Sequence, residues 1–215
     1  MTITLSNISK RYNYEWIFNN LSYTFLSNHS YAITGANGSG KSTLLKILSG
    51  SLTASSGKIS YAENGIEIKS ENIFAHVSYC APYLELINEF SLSESIKFHF
   101  KFKKPIHDLT ETQIIKLSGL EMHKNKRLKN FSSGMKQRVK LLLAFTTDSN
   151  ILLLDEPTTN LDAQAVDWYF ELCKRFCKDR IVIVGSNIER EYLFCEETII
   201  LNQYKDSLPK SSNLA

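Results

Sequence analysis

No run of apolar residues in this 215-residue chain approaches the ~20 that a membrane-spanning helix needs. Nor does it open on a basic segment followed by an apolar one. Met1-Thr2-Ile3-Thr4-Leu5 starts at once in strand-like alternation, so a soluble, cytosolic chain is expected. Charge of one sign is also lacking. With 25 Lys and Arg against 22 Asp and Glu, the net charge is only +3, and no nucleic-acid partner is expected. Internal repeats and low-complexity segments are absent, which excludes a repeat array. Cysteine is scarce: Cys80, Cys173, Cys177 and Cys195. Cys173 and Cys177 share an apolar helical stripe with Val166 and Phe170, and no His or Cys close in sequence completes a metal set. Buried, reduced thiols are expected.

What the chain does have is Gly-Ala-Asn-Gly-Ser-Gly-Lys-Ser-Thr at residues 35–43. Gly35, Gly40, Lys41 and Ser42 fill the P-loop spacing Gly-x-x-x-x-Gly-Lys-[Ser/Thr]. Tyr31-Ala32-Ile33-Thr34 before it is a short apolar strand, and Thr43-Leu44-Leu45-Lys46-Ile47-Leu48 after it is helix-like. Strand, glycine loop and helix start together make an anion cradle, because glycines let backbone N–H groups turn toward phosphate oxygens and the helix end adds partial positive charge. Gly35, Ala36, Asn37, Gly38, Ser39, Gly40, Lys41, Ser42 and Thr43 are therefore the expected nucleotide-binding residues. Lys41 would reach the β- and γ-phosphates, and the Ser42 hydroxyl would hold Mg2+.

Length and an ordinary globular balance of 43% hydrophobic and 22% charged residues suit one α/β domain over residues 1–215. Residues 2–34 read as antiparallel strands at Ile3–Ile8, Ile17–Phe25 and Tyr31–Thr34. A helix over Lys41–Leu48 follows, ended by Gly50 and the Ser/Thr-rich stretch after it. Strands return over 57–79, with a turn at Glu63-Asn64-Gly65 and a core strand at Val77-Ser78-Tyr79. Leu92, Ile96 and Phe100 recur every four residues, and Ile114, Leu117 and Leu120 every three, so residues 83–133 read as a mainly helical insert. A helix over Ser133–Thr146 carries Met135, Val139, Leu142 and Thr146 on one face. Apolar strands at Ile151–Leu154 and Ile181–Val184 flank a helix over 163–178, a βαβ rhythm. The polar tail from Lys205 is expected to fray.

Two further segments carry chemistry. Ile151-Leu152-Leu153-Leu154-Asp155-Glu156 is a buried strand that delivers acid at its C-terminal end, where open α/β sheets bind ligands. Beside a P-loop, Asp155 is the expected second holder of Mg2+, and Glu156 would orient or deprotonate an attacking water. Phe131-Ser132-Ser133-Gly134-Met135 is a helix start with Ser132 or Ser133 as N-cap, whose N–H groups suit an anion.

The order of P-loop, helical insert, Ser-x-Gly helix start and apolar-Asp-Glu strand resembles an ATP-binding-cassette (ABC) ATPase along nearly the whole chain. Residues 131–135 stand where that family has Leu-Ser-Gly-Gly-Gln; Ser132 and Gly134 are kept, Ser133 replaces the first glycine and Met135 replaces glutamine. Pro157-Thr158-Thr159-Asn160-Leu161-Asp162 resembles the family's D-loop, with Asp162 in its key position. Tyr12, 23 residues before Gly35, stands where the family stacks an aromatic on adenine. Two positions depart: the Q-loop glutamine falls on Pro82, with Glu85 near enough in sequence to substitute, and the switch histidine falls on Asn187. An Asn amide still donates to a γ-phosphate oxygen, without charge.

The resemblance implies a P-loop NTPase core with an N-terminal antiparallel β subdomain, and ATP and Mg2+ as cofactors. It implies an ATPase in which Glu156, Lys41 and Asn187 act on the phosphoryl group; with Lys41, Ser42, Asp155 and Glu156 intact but Pro82 and Asn187 departing, an active but slow one is expected. It also implies a head-to-tail homodimer or cassette heterodimer, in which Ser132, Ser133 and Gly134 of one protomer close over the other's ATP. Its partner would be a transmembrane permease on a separate chain, at the cytoplasmic face of the membrane. The alternatives are a degenerate, non-hydrolysing member of a heterodimer and a non-transport ABC ATPase. Lys97, Lys101, Lys103 and Lys104, and Lys124, Lys126, Arg127 and Lys129, read as a solvated face of the insert, with an anionic leaflet as the other reading.

Overall fold

The computed structural model describes residues 1–205. The expected frayed tail lies outside the described residues apart from Lys205. In chain order the elements are β1 (Thr2–Tyr12), β2 (Glu15–Leu26), β3 (Ser30–Thr34), α1 (Lys41–Leu48), β4 (Ser56–Glu63), β5 (Ile66–Ile68) and β6 (Val77–Cys80). After these come α2 (Leu92–His99), α3 (Glu111–Ser118), α4 (Ser133–Thr146), β7 (Ile151–Asp155), α5 (Ala163–Phe176), β8 (Ile181–Gly185), α6 (Glu189–Tyr192) and β9 (Glu197–Ile200).

Two sheets divide the strands. β2-β1-β4-β5 is antiparallel, and β6-β7-β8-β3-β9 is parallel throughout. Residues 30–34 are thus a correction. They follow two antiparallel strands in sequence but pair with Val182–Gly185 and Glu197–Ile200 in the parallel sheet. The residues explain why: Ser30–Ile33 are all buried, as a strand covered on both faces must be, whereas β1 and β2 alternate. Val77–Cys80 forms an edge of that sheet rather than its centre, though Val77, Ser78 and Cys80 are buried.

Side chains of β7 and β8 alternate between two apolar cores, as the period of two requires. Leu152, Leu154, Val182 and Val184 pack with α2, α3, α4 and α5, while Ile151, Leu153, Ile181 and Ile183 pack with α1 and the antiparallel sheet. On α5 the core-facing stripe is Ala165, Tyr169, Leu172, Cys173 and Phe176, with Val166, Phe170 and Cys177 only partly buried. Of the expected stripe Cys173 is buried, while Val166, Phe170 and Cys177 are set to the side because Tyr169 and Phe176 claim the interior. All four thiols are free, and burial raises the pKa of Cys80, Cys173 and Cys195.

Between β6 and β7, only α2 and α3 are α-helices before α4 begins; the rest is turn, loop and single 3₁₀ turns. Both short helices start with a reciprocal capping box. The Ser91 hydroxyl accepts from Glu94 N while the Glu94 carboxylate accepts from Ser91 N, and Thr110 and Gln113 repeat the pattern. Lys103 also departs from the solvated reading: its Nζ donates to the carbonyls of Phe74, Ala75 and Val77, strapping the insert to β6. Eight-residue helices are marginal alone, so the caps carry weight. Ser91→Ala is expected to cost about 1 kcal/mol in urea unfolding, with Glu94→Ala costing less and the pair less than their sum.

Candidate nucleotide site

The parallel register lines up the C-terminal ends of β3, β7 and β8, since Ile33 and Asp155 both pair with Gly185. Gly35 leaves β3, Glu156 leaves β7 and Ser186-Asn187 leave β8 at one edge of the sheet. A cleft of about 220 Å³ there is lined by Ile17, Asn37, Gly38, Gly40, Lys41, Ser42, Thr43 and Glu156. Gly185 lies under it for a steric reason. A Cβ there would lie 2.8 Å from Leu45 Cδ1 and 3.4 Å from Asp155 Oδ1.

Helix caps show what the cleft is built to hold. α2, α3, α4 and α5 are each capped by a side-chain oxygen, from Ser91, Thr110, Ser132 and Asp162. α1 is capped by Gly40 at φ 101° with no side-chain acceptor, and its first turn holds no acid. Its first N–H groups are thereby left to an external anion. Glycine is required at position 40, since a Cβ would lie 2.3 Å from Ile17 Cγ2. Lys41 is 5% exposed, and its Nζ donates to the carbonyls of Gly35 at 2.9 Å and Ala36 at 3.3 Å. Burial pulls its pKa down, while the Glu156 and Asp155 carboxylates act against that pull.

Asp155 is 1% exposed. Burial raises its pKa, opposed by the neighbouring Ser42 hydroxyl and helped by the Glu156 charge. Its Oδ1 is buried without a hydrogen-bond partner. An orphaned carboxylate oxygen beside a serine hydroxyl is a donor set that fits a hard divalent cation such as Mg2+. Glu156 follows at φ 43°, a left-handed conformation that costs a non-glycine residue on the order of 1–3 kcal/mol, and its N–H is held by the Gly185 carbonyl at 2.9 Å. The strained turn carries an exposed carboxylate into the cleft.

Of the other expected residues, Asn187 reaches the loop, its Nδ2 donating to Asn37 Oδ1 at 2.8 Å. Tyr12 does not line the cleft. It is 49% exposed at the end of β1 under the Lys10 ammonium, and the same hairpin contributes Ile17 instead. Ser132, Ser133 and Gly134 also lie outside it. Ser132 Oγ accepts from Met135 N at 3.1 Å, and a Cβ on Gly134 would meet the Asn160 carbonyl at 2.7 Å. The helix start therefore abuts the loop that ends at Asp162, whose carboxylate caps α5 through Ala165 N at 2.8 Å.

Sequence reasoning missed three side chains. The Tyr79 hydroxyl lies 3.5 Å from Asp155 Oδ2 and is hydrogen-bonded to the Tyr83 hydroxyl. Glu85, the expected stand-in for a Q-loop side chain, lines instead a groove with Lys103 and Lys140. Glu191 is buried and its Oε1 accepts from both the N–H and the hydroxyl of Thr158, tying α6 to the loop after Glu156. An acid four residues past Asn187 is the one signal it left.

A carboxyl whose folded pKa is raised favours folding fully only below its unfolded pKa, and loses that contribution as pH rises through the folded value. Near neutrality Asp155 is thus a cost. Asp155→Asn is expected to raise the thermal midpoint of the nucleotide-free chain by about 2–4 °C at neutral pH, on the order of 1 kcal/mol. That gain should shrink as pH falls toward about 4. Calorimetry over pH checks it, and a lowered midpoint would contradict the assignment of cost.

Comparison with known proteins agrees with this geometry. The sequence pattern of the ABC transporter family matches residues 18–159. An uncharacterized ABC transporter ATP-binding protein, YybJ of Bacillus subtilis, is 28% identical over 208 residues, covering 93% of this chain and 92% of that protein. The Nod factor export ATP-binding protein I of Rhizobium johnstonii is 28% identical, over 94% of this chain and 66% of its own length. The spermidine/putrescine import ATP-binding protein PotA of Mycoplasma capricolum is 27% identical, over 94% and 59%. A putative ABC transporter ATP-binding protein from Pyrococcus furiosus has the same fold, with TM-score 0.79, 21% identity and 95% of this chain against 100% of that one. So does a dimeric ATP-binding cassette in a post-hydrolysis state bound to ADP and Pi, with TM-score 0.80, 21% identity and 92% against 93%. With its phosphate loop, its acidic strand end and its sheet order in one frame, the chain belongs to the ABC transporter family.

Proposed function

We propose that this chain is the ATP-binding and ATP-hydrolysing subunit of an ABC transporter, driving a permease on a separate polypeptide through ATP-dependent dimerisation. One observation carries the reading. A single cleft holds the uncapped start of α1, the Lys41 ammonium and the Glu156 carboxylate, with the orphaned Oδ1 of Asp155 beneath it. Lys41 would exchange the carbonyls of Gly35 and Ala36 for phosphate oxygens, and the first N–H groups of α1 would take the remainder. Ser42 and Asp155 would hold Mg2+, which when bound neutralises charge on the phosphate oxygens. Glu156 would orient water and accept its proton. Asn187 uses one amide N–H on Asn37 and has a second for the γ-phosphate.

Dimerisation is supported by the placement of residues 132–134, exposed or half-exposed and outside their own cleft. The structural neighbour that holds ADP and Pi is itself described as dimeric. In such a dimer Ser132, Ser133 and Gly134 would meet the other protomer's ATP, beside Asp162. An apolar groove of about 310 Å³ over Leu86, Ile87, Phe90, Phe98 and Phe102 supports docking of a partner on the insert. No helix among the described residues is long and apolar enough to cross a membrane. In this reading the permease is another chain, met at the cytoplasmic face. Pro82, Asn187 and the altered Ser133 and Met135 favour a second reading, a cassette that hydrolyses only beside a different partner.

ATP hydrolysis by the purified chain across protein concentrations separates the two. A self-sufficient motor shows turnover per chain that rises with concentration and is abolished in Glu156→Gln; ATP binding without turnover indicates the second reading. Asn187→His is expected to raise kcat about 100-fold, the scale of one preorganised donor, with little change in ATP affinity. An unchanged kcat would remove Asn187 as the cause of slowness.

A further inference from the structure

Proline at position 82 has no side-chain donor, yet the chain around it is held firmly. Lys140 Nζ from α4 donates to the Pro82 carbonyl at 2.8 Å and to the Ala81 carbonyl at 3.3 Å. That fixes the turn that follows β6 and brings Tyr83 back against the strand. The Tyr83 ring lies under Lys46 Nζ from α1, 4.3 Å from its centroid, and meets Tyr79 edge-on with centroids 6.5 Å apart. The two hydroxyls are hydrogen-bonded to each other, and Tyr79 Oη reaches to 3.5 Å from Asp155 Oδ2.

The proton count is decisive. Each neutral phenol has one proton. One proton is used between the two oxygens, so the pair presents a single donor, and Asp155 Oδ2 is the acceptor it faces. Oδ1, on the other side of the carboxylate, is left without a partner. Both phenols carry their protons at neutral pH, as an ordinary phenol does.

We propose that Tyr79 and Tyr83 act as a phenol pair that positions Asp155, anchoring Oδ2 so that Oδ1 faces the cation, in place of a side chain at position 82. The proposal rests on Asp155 holding Mg2+ as read above. The pair touches no reacting atom and is a positioning element. Its anchors on α1 and α4, through Lys46 and Lys140, tie the metal-holding carboxylate to the P-loop helix and to the helix that begins at Ser133.

The test is calorimetric ATP binding with Mg2+ and with EDTA, which needs no turnover. The wild-type chain is expected to bind ATP more tightly with Mg2+. Tyr79→Phe and Tyr83→Phe are expected to lose about tenfold of that metal-assisted gain, the scale of one hydrogen bond to a charged group. Their affinity in EDTA should be unchanged, while the nucleotide-free thermal midpoint should fall by a few degrees as Oδ2 loses its donor. Pro82→Gln in the Tyr83→Phe background should recover the gain. A full Mg2+ gain in both phenylalanine variants would overturn the proposal, as would an equal loss in EDTA or no recovery with glutamine. A wild-type chain with no Mg2+ gain would overturn the cation reading of Asp155, and this proposal with it.

Discussion

A carboxylate taken out of water must be compensated or protonated. Asp155 is nearly inaccessible, and the fold gives its Oδ2 a phenol while leaving Oδ1 without a partner. Much around it follows from that. The strand that carries it is apolar on both faces, because it lies within a five-stranded parallel sheet. Its neighbour β8 must end in glycine to let the carboxylate and Leu45 approach. Glu156, the next residue, must turn left-handed to leave the sheet edge, and Gly185 holds it there. A site of this kind stores free energy, which a bound nucleotide can release.

The helices divide the same labour. Among the described residues, four of the five helices of eight or more residues end their N-termini in a side-chain cap and are finished locally. α1 is finished only by a ligand. Lys41 meanwhile satisfies its ammonium on the carbonyls of its own loop, a partnership that phosphate can replace with little reorganisation. The loop is therefore preorganised without being occupied by its own side chains.

The sequence announced the parts with a local signature. Glycines at positions 35, 38 and 40 sit at positive φ, so the loop's spacing is a direct record of its backbone. α1 and α4 run between the residues expected from the P-loop and from the Ser132/Ser133 start with its periodicity, Lys41–Leu48 and Ser133–Thr146. Asp155 was legible because four apolar residues before an acid have few other uses. Pairing was not legible. The third strand looked like a continuation of an antiparallel run, since nothing within residues 30–34 says that its partners are more than 140 positions away. Three residues of the expected α5 stripe, Val166, Phe170 and Cys177, fall to its side because periodicity ranks apolar side chains alike, while packing favours the rings of Tyr169 and Phe176.

By itself, then, the sequence determined the phosphate loop, the acidic strand end and the helix caps, each set by residues within a few positions of one another. Only the tertiary structure decided what surrounds Asp155. Tyr79, Tyr83 and Glu191 belong to no local motif along the chain. They acquire meaning from parallel pairing, which sets β6 beside β7 and brings α6 under the loop after Glu156. Side-chain chemistry is encoded one residue at a time, but the dielectric and partners that tune it come from residues distant in sequence and adjacent in space.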